Sequence, residues 1–192
     1  GALKAERAWE THFDRELRRS VRQAKQVPVL INYSVGKRRF EKRPDEADLE
    51  LIQTIEEQDI PYPVPVDELP EGYNTQQPRI SHGLTHVHHF YTRRNIECLS
   101  AILARVDTVS DPSRGWARFL FEQTIMGMSK WARYVPTHYS QVNQGLSGTL
   151  YIGSQVVETS PSYILDGKER DLLSLLTRLN AKRGPTAIST QS

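Results

Sequence analysis

Pro28-Val29-Leu30-Ile31-Asn32-Tyr33-Ser34-Val35-Gly36-Lys37-Arg38-Arg39-Phe40 is the stretch that decides the fold class. Residues 29–35 are rich in β-branched and aromatic side chains, which suit a pleated surface better than a helix. Gly36-Lys37 reads as a turn, and Arg38-Arg39-Phe40 as the start of a returning strand. Strand, turn and return together occupy 28–43, and most of the surrounding chain reads as helix. The expected class is therefore α+β, helix-dominated, with a small mixed or antiparallel sheet and one long Pro-rich loop.

On the N-terminal side, residues 3–26 read as one long helix. Trp9, Phe13, Leu17 and Val21 recur every four residues as an apolar stripe. Arg15, Arg18, Arg19, Arg22 and Lys25 lie largely off it and give that helix a cationic face. On the C-terminal side, Pro44-Asp45-Glu46 opens a helix over 45–58, because Pro and acids suit a first turn near the positive end of the helix dipole. Residues 59–81 hold Pro61, Pro63, Pro65, Pro70, Gly72 and Pro78 and read as a loop. Helices follow over 90–106 and 112–130, then an irregular stretch and a strand over 149–158. A Leu-rich helix covers 161–182, and Ala187-Ile188-Ser189 opens a further strand. The elements read as a single domain over 1–192.

Net charge is only +2, but it is unevenly placed. Residues 1–43 carry twelve Lys/Arg and five Asp/Glu, residues 44–72 carry ten acids and no Lys or Arg, and residues 73–192 carry thirteen bases and eight acids. Two basic blocks flank an acidic one. The single cysteine, Cys98, excludes an internal disulfide and a cysteine zinc cluster within these residues. No apolar run approaches the ~20 residues that span a bilayer, which points to a cytoplasmic protein without a membrane partner. The chain opens Gly1-Ala2-Leu3 with no initiator Met, as expected of an internal piece of a longer chain.

His82, His86, His88 and His89 fall within eight residues. Imidazoles ligate zinc and iron, so a His-based metal hydrolase is one reading. The other is a set of packed, hydrogen-bonded histidines, since the spacing matches no metal motif. Neither a Gly-x-Ser-x-Gly elbow nor a phosphate-cradling Gly-rich loop is present. Three clusters interleave cations with rings: Lys37-Arg38-Arg39-Phe40, Phe90-Tyr91-Thr92-Arg93-Arg94-Asn95 and Lys130-Trp131-Ala132-Arg133-Tyr134. Cations neutralise phosphates, rings stack on bases, and Asn can read an adenine edge. Lys37, Arg38, Arg39, Arg93, Arg94, Lys130 and Arg133 are the expected phosphate contacts and Asn95 the expected base reader. The competing reading gives one Arg of each pair to a structural ion pair with the acidic 45–71 segment.

Several stretches resemble the middle segment of bacterial and archaeal DNA methyltransferases of the N-4/N-6 amino class, the adenine-specific DNA methylases. They are Pro28–Lys37, Lys42-Arg43-Pro44-Asp45-Glu46, Gly83–Asn95, Ser129-Lys130 with Arg133-Tyr134, and Leu146–Ile152. The block Gly83-Leu84-Thr85-His86-Val87-His88-His89-Phe90-Tyr91-Thr92-Arg93-Arg94-Asn95 is the most specific. The family's Asp-Pro-Phe-x-Gly-x-Gly-type cofactor loop, its Asp-Pro-Pro-Tyr or Asp-Pro-Pro-Phe catalytic loop and its cysteine ribbon are absent from these residues. The resemblance thus implies an internal domain, itself without catalytic or cofactor residues, of an enzyme of the restriction–modification kind. That parent would transfer a methyl group from S-adenosylmethionine to adenine N6, or to the cytosine amine. Its partners would be double-stranded DNA and the remainder of the methyltransferase. Such enzymes flip the target base, so a segment must hold the duplex. A stand-alone nucleic-acid-binding module, or a structural spacer between catalytic halves, are the other readings.

Overall fold

The computed structural model describes residues 6–134 and 150–183. Most of the irregular stretch expected over 131–148, His138 included, and the strand expected at Ala187–Ser189 lie outside the described residues. Four strands come first: β1 (Trp9–Asp14), β2 (Arg19–Ala24), β3 (Ile31–Val35) and β4 (Arg38–Lys42). The helices are α1 (Glu46–Glu57), α2 (Tyr73–His82), α3 (Arg93–Val106), α4 (Ser113–Ile125) and α5 (Pro161–Arg183), with a 3-10 turn at Val87–Phe90 before α3. The α+β class holds, with two separate antiparallel hairpins, β1–β2 and β3–β4, where one sheet was expected.

The helix expected over 3–26 is instead the first hairpin, with Trp9 opposite Ala24 and Asp14 opposite Arg19. A step of four residues is a multiple of the strand period of two as well as close to one helical turn, so a stripe built only from such steps fits both. Leu17 falls in the turn, and Arg18 takes φ 53° there. The inward side of this hairpin is polar: Asp14 and Gln23 are buried, while Phe13 is largely exposed. Arg22 lies over the Trp9 ring, 5.0 Å from its centre.

The second hairpin follows its sequence closely. Gly36 takes φ 60°, the positive value that the first central position of a type II′ turn requires. Tyr33 pairs with Phe40, their rings stacked with centres 5.4 Å apart. Helix α1 starts at a reciprocal cap: Asp45 accepts from the Asp48 N–H, and the Asp48 carboxylate accepts from the Asp45 N–H. Lys42 bridges both carboxylates at 2.9 and 2.7 Å.

Two expectations further along are corrected. Residues 59–72 are irregular, but Tyr73–His82 is helical despite Pro78. Pro78 removes one helical hydrogen bond, yet it is fully buried, and Thr75 Oγ1 donates to the Pro70 and Gly72 carbonyls to hold the first turn. Within 150–158 no strand forms; Arg133 and Val156 make a single bridge. Ile152 is 1% exposed while Tyr151 is exposed, and residues 155–157 bond Ala132 and Tyr134 through only two backbone hydrogen bonds, too few for a ladder.

Helices α3, α4 and α5 pack around Leu99, Val106, Phe121, Met128 and Ile164. Leu84, Phe90 and Ile152 form a second cluster under the 3-10 turn. Each fully buried side chain of this size contributes about 1.5–3 kcal/mol relative to exposure. These two clusters fix the segment 83–95, on which the first hairpin docks.

Candidate nucleic-acid interface and histidine cluster

The β3–β4 hairpin carries three of the exposed expected contacts. Lys37 at the tip and Arg38 and Arg39 on β4 are all exposed. Strand alternation puts Arg38 on the same face as Ile31, Tyr33, Val35 and Phe40, and Arg39 on the opposite face with Ser34. No residue of either strand is buried. Cations and a stacked pair of rings therefore stand together on a ribbon of two strands, which is a width that the major groove of a duplex admits.

The other expected contacts are held by the fold to different degrees. Arg93 is nearly buried: its guanidinium donates to both oxygens of Glu16 at 3.0 and 3.1 Å and to the Gln58 carbonyl. Arg94 donates to Glu158 at 2.8 Å. Neither carboxylate belongs to the acidic 45–71 segment, whose ion pairs among the described residues are with Lys42, Arg15 and Arg79. Asn95 faces the interior, its amide donating to the Met128 and Thr159 carbonyls, so it does not present an edge to a base. Half-buried Lys130 donates to the His89 carbonyl at 2.9 Å, and burial pulls its amine down to about 8. Arg133 is exposed, at the end of its bridge to Val156. Burial pushes the Cys98 thiol up, as suits a structural cysteine.

Of the four clustered histidines, His88 and His89 converge on Asp14, the last residue of β1. Both Nε2 atoms lie 2.9 Å from Asp14 Oδ2, and Asp14 Oδ1 accepts from the Leu17 N–H. All three side chains are buried. The Thr85 N–H donates to His89 Nδ1 at 3.1 Å, so in this state the His89 proton sits on Nε2 and points at the carboxylate. Burial favours the protonated Asp14, but the Leu17 N–H and the two imidazoles outweigh it and bring the carboxyl to about 2. Burial takes His89 down to about 4, against the opposing pull of Asp14, so it is neutral at pH 7.

His86 adjoins this group, its ring centre 5.1 Å from that of His89, but its Nδ1 bonds the Thr85 hydroxyl at 2.8 Å and its Nε2 faces Arg19. His82 stands apart, bonded through Nδ1 to Ser81 Oγ at 2.7 Å and to Arg7 at 3.1 Å. The sequence pointed to four histidines; the structure brings two of them onto Asp14. That aspartate, and Glu16 beside it, had no local signal, because they reach their partners across more than seventy residues.

Burial first, and the Arg7 charge second, lower His82 to about 4 from an ordinary 6.5; Lys130 adds to the same effect and the Gly153 backbone opposes it. Between pH 6.5 and 4 the unfolded chain binds a proton at this position that the folded chain refuses, so stability falls as pH is lowered through that window. Urea unfolding at pH 7.0 and 4.5 should show this, and His82→Gln should narrow the difference between the two pH values. An equal difference in both proteins would exclude His82 as a source.

Among the described residues, no helix is long and apolar enough to cross a membrane. Compared with known protein families, curated proteins and solved structures, the chain matches none.

Proposed function

We propose that this chain is a duplex-DNA-contacting domain, with the β3–β4 hairpin as the element that meets the nucleic acid. The observation that carries this reading is the exposed ribbon bearing Lys37, Arg38 and Arg39 together with the stacked Tyr33 and Phe40. Cations on such a ribbon neutralise phosphates while its rings stack on or wedge between bases. With the resemblance of Pro28–Lys37 and Gly83–Asn95 to adenine-specific DNA methylases, the domain belongs to an S-adenosylmethionine-dependent enzyme that methylates adenine N6. In that enzyme it holds the duplex, while cofactor and catalytic loops lie elsewhere in the parent.

Duplex binding measured against salt concentration tests this. The plot of log affinity against log salt should fall linearly, and Lys37→Ala with Arg38→Ala should flatten its slope by about two while leaving the melting temperature nearly unchanged. Arg93→Ala should act the other way: it leaves Glu16 without its cation, costs about 3 kcal/mol of stability and changes the slope little. No binding at low salt would leave the domain as a spacer between catalytic halves, and a slope that the hairpin variant does not alter would move the DNA contact off the β3–β4 hairpin.

A further inference from the structure

We propose that Asp14, His88 and His89 bind one divalent transition-metal ion of the zinc class. Two imidazole nitrogens and one carboxylate oxygen are a donor set that zinc, cobalt(II) and iron(II) accept. Their ligand atoms all lie within 4.8 Å of one another. An ion about 2.1 Å from two ligands at the tetrahedral angle sets those ligands about 3.4 Å apart. Both Nε2 atoms lie 2.9 Å from Asp14 Oδ2, at hydrogen-bond distance, and each pair opens by only about 0.5 Å to admit the ion.

Charge points the same way. Asp14 is a buried carboxylate whose ion-pair partners among the described residues are these two histidines, neither a permanent cation. Hydrogen bonds satisfy its lone pairs but leave a buried negative charge in a poorly polarisable interior. A dication supplies the missing charge, and three protein ligands leave a fourth position for water or a small anion.

Asp14 and His89 are held from behind, while His88 Nδ1 is buried without a hydrogen-bond partner among the described residues. The Leu17 N–H fixes Asp14 Oδ1, and Lys130 Nζ fixes the His89 carbonyl. Metal binding needs the Nε2 lone pairs, so on each imidazole the proton moves to Nδ1 as the ion enters. At His89 that nitrogen faces the Thr85 N–H at 3.1 Å but also Thr85 Oγ1 at 3.5 Å. A small tilt of the ring exchanges the N–H donor for the hydroxyl acceptor, which makes Thr85 the residue that orients the ligand. The ion would tie the first hairpin to the segment before α3.

Cobalt(II) titration of the whole chain, first stripped with a chelator, tests the site. One equivalent should give a saturable visible absorption band that zinc abolishes. The ring-nitrogen signals of His88 and His89 should shift with zinc in the unaltered protein, a readout that needs no variant to fold. Thr85→Ala, outside the ligand set, should weaken binding about 10-fold or more, and Thr85→Ser should restore it. His12→Ala, at an exposed position on β1, should change nothing. Absence of the band, shifts confined to other histidines, or a Thr85→Ala affinity equal to that of the unaltered protein would overturn the proposal and leave a hydrogen-bonded clamp.

Discussion

Gly83→Ala should cost about 3 kcal/mol or more of stability, through backbone strain and a clash together. Gly83 ends α2 in the left-handed region, at φ 70°, with its N–H bonded to the Arg79 carbonyl and the Leu84 N–H to that of Pro78. A side chain there carries the usual left-handed penalty of about 1–2 kcal/mol. A Cβ would also overlap the Arg22 carbonyl oxygen of β2 and lie 3.2 Å from Gln23 Cα, so backbone must move against backbone. Gly36→Ala isolates the first contribution: φ is 60°, and nothing lies within 4 Å of the added atom. Urea unfolding should therefore give about 1 kcal/mol for Gly36→Ala and at least twice that for Gly83→Ala. Equal losses would mean that the first hairpin does not press on the end of α2.

Asp14→Ala should cost about 3–5 kcal/mol, measured with a chelator present so that a lost metal ion plays no part. The carboxylate takes hydrogen bonds from the Leu17 N–H and from both imidazoles, and all three residues of the cluster are buried. Truncation orphans these donors in the interior, at about 1–3 kcal/mol each before water enters the gap. The urea midpoint should fall by about 2 M, given the slope usual for a chain of this size. Asp14→Asn keeps an acceptor oxygen and should lose less. A loss under about 1 kcal/mol for Asp14→Ala would mean that the hairpin does not depend on the cluster.

The parts that were legible in the sequence are those whose causes are local. Residues 29–40 declare a hairpin through composition and one glycine, and Pro44-Asp45-Glu46 declares the start of α1. Helix α5 occupies 161–183 within one residue of its expected bounds. The first hairpin was not legible because its apolar residues step by four and its buried residues, Asp14 and Gln23, are polar. A polar residue is buried only where partners await it, and those partners lie some seventy positions away. Helix α2 was hidden by Pro78 and the prolines that precede the helix, since the burial that keeps Pro78 in a helix is a property of the packed chain.

The site divides along the same line. Composition and spacing by themselves determined an α+β chain with a basic, aromatic hairpin and a dense group of histidines. Only the tertiary structure decided which of those groups stay available. It closed Arg93 onto Glu16 and turned Asn95 inward, yet left Lys37 and Arg38 exposed, and it brought Asp14 to His88 and His89. Backbone preference and hydrophobic period act over a few residues and can be read in order along the chain. Pairing of charges and satisfaction of buried polar atoms act across space, and only folding settles which residues meet.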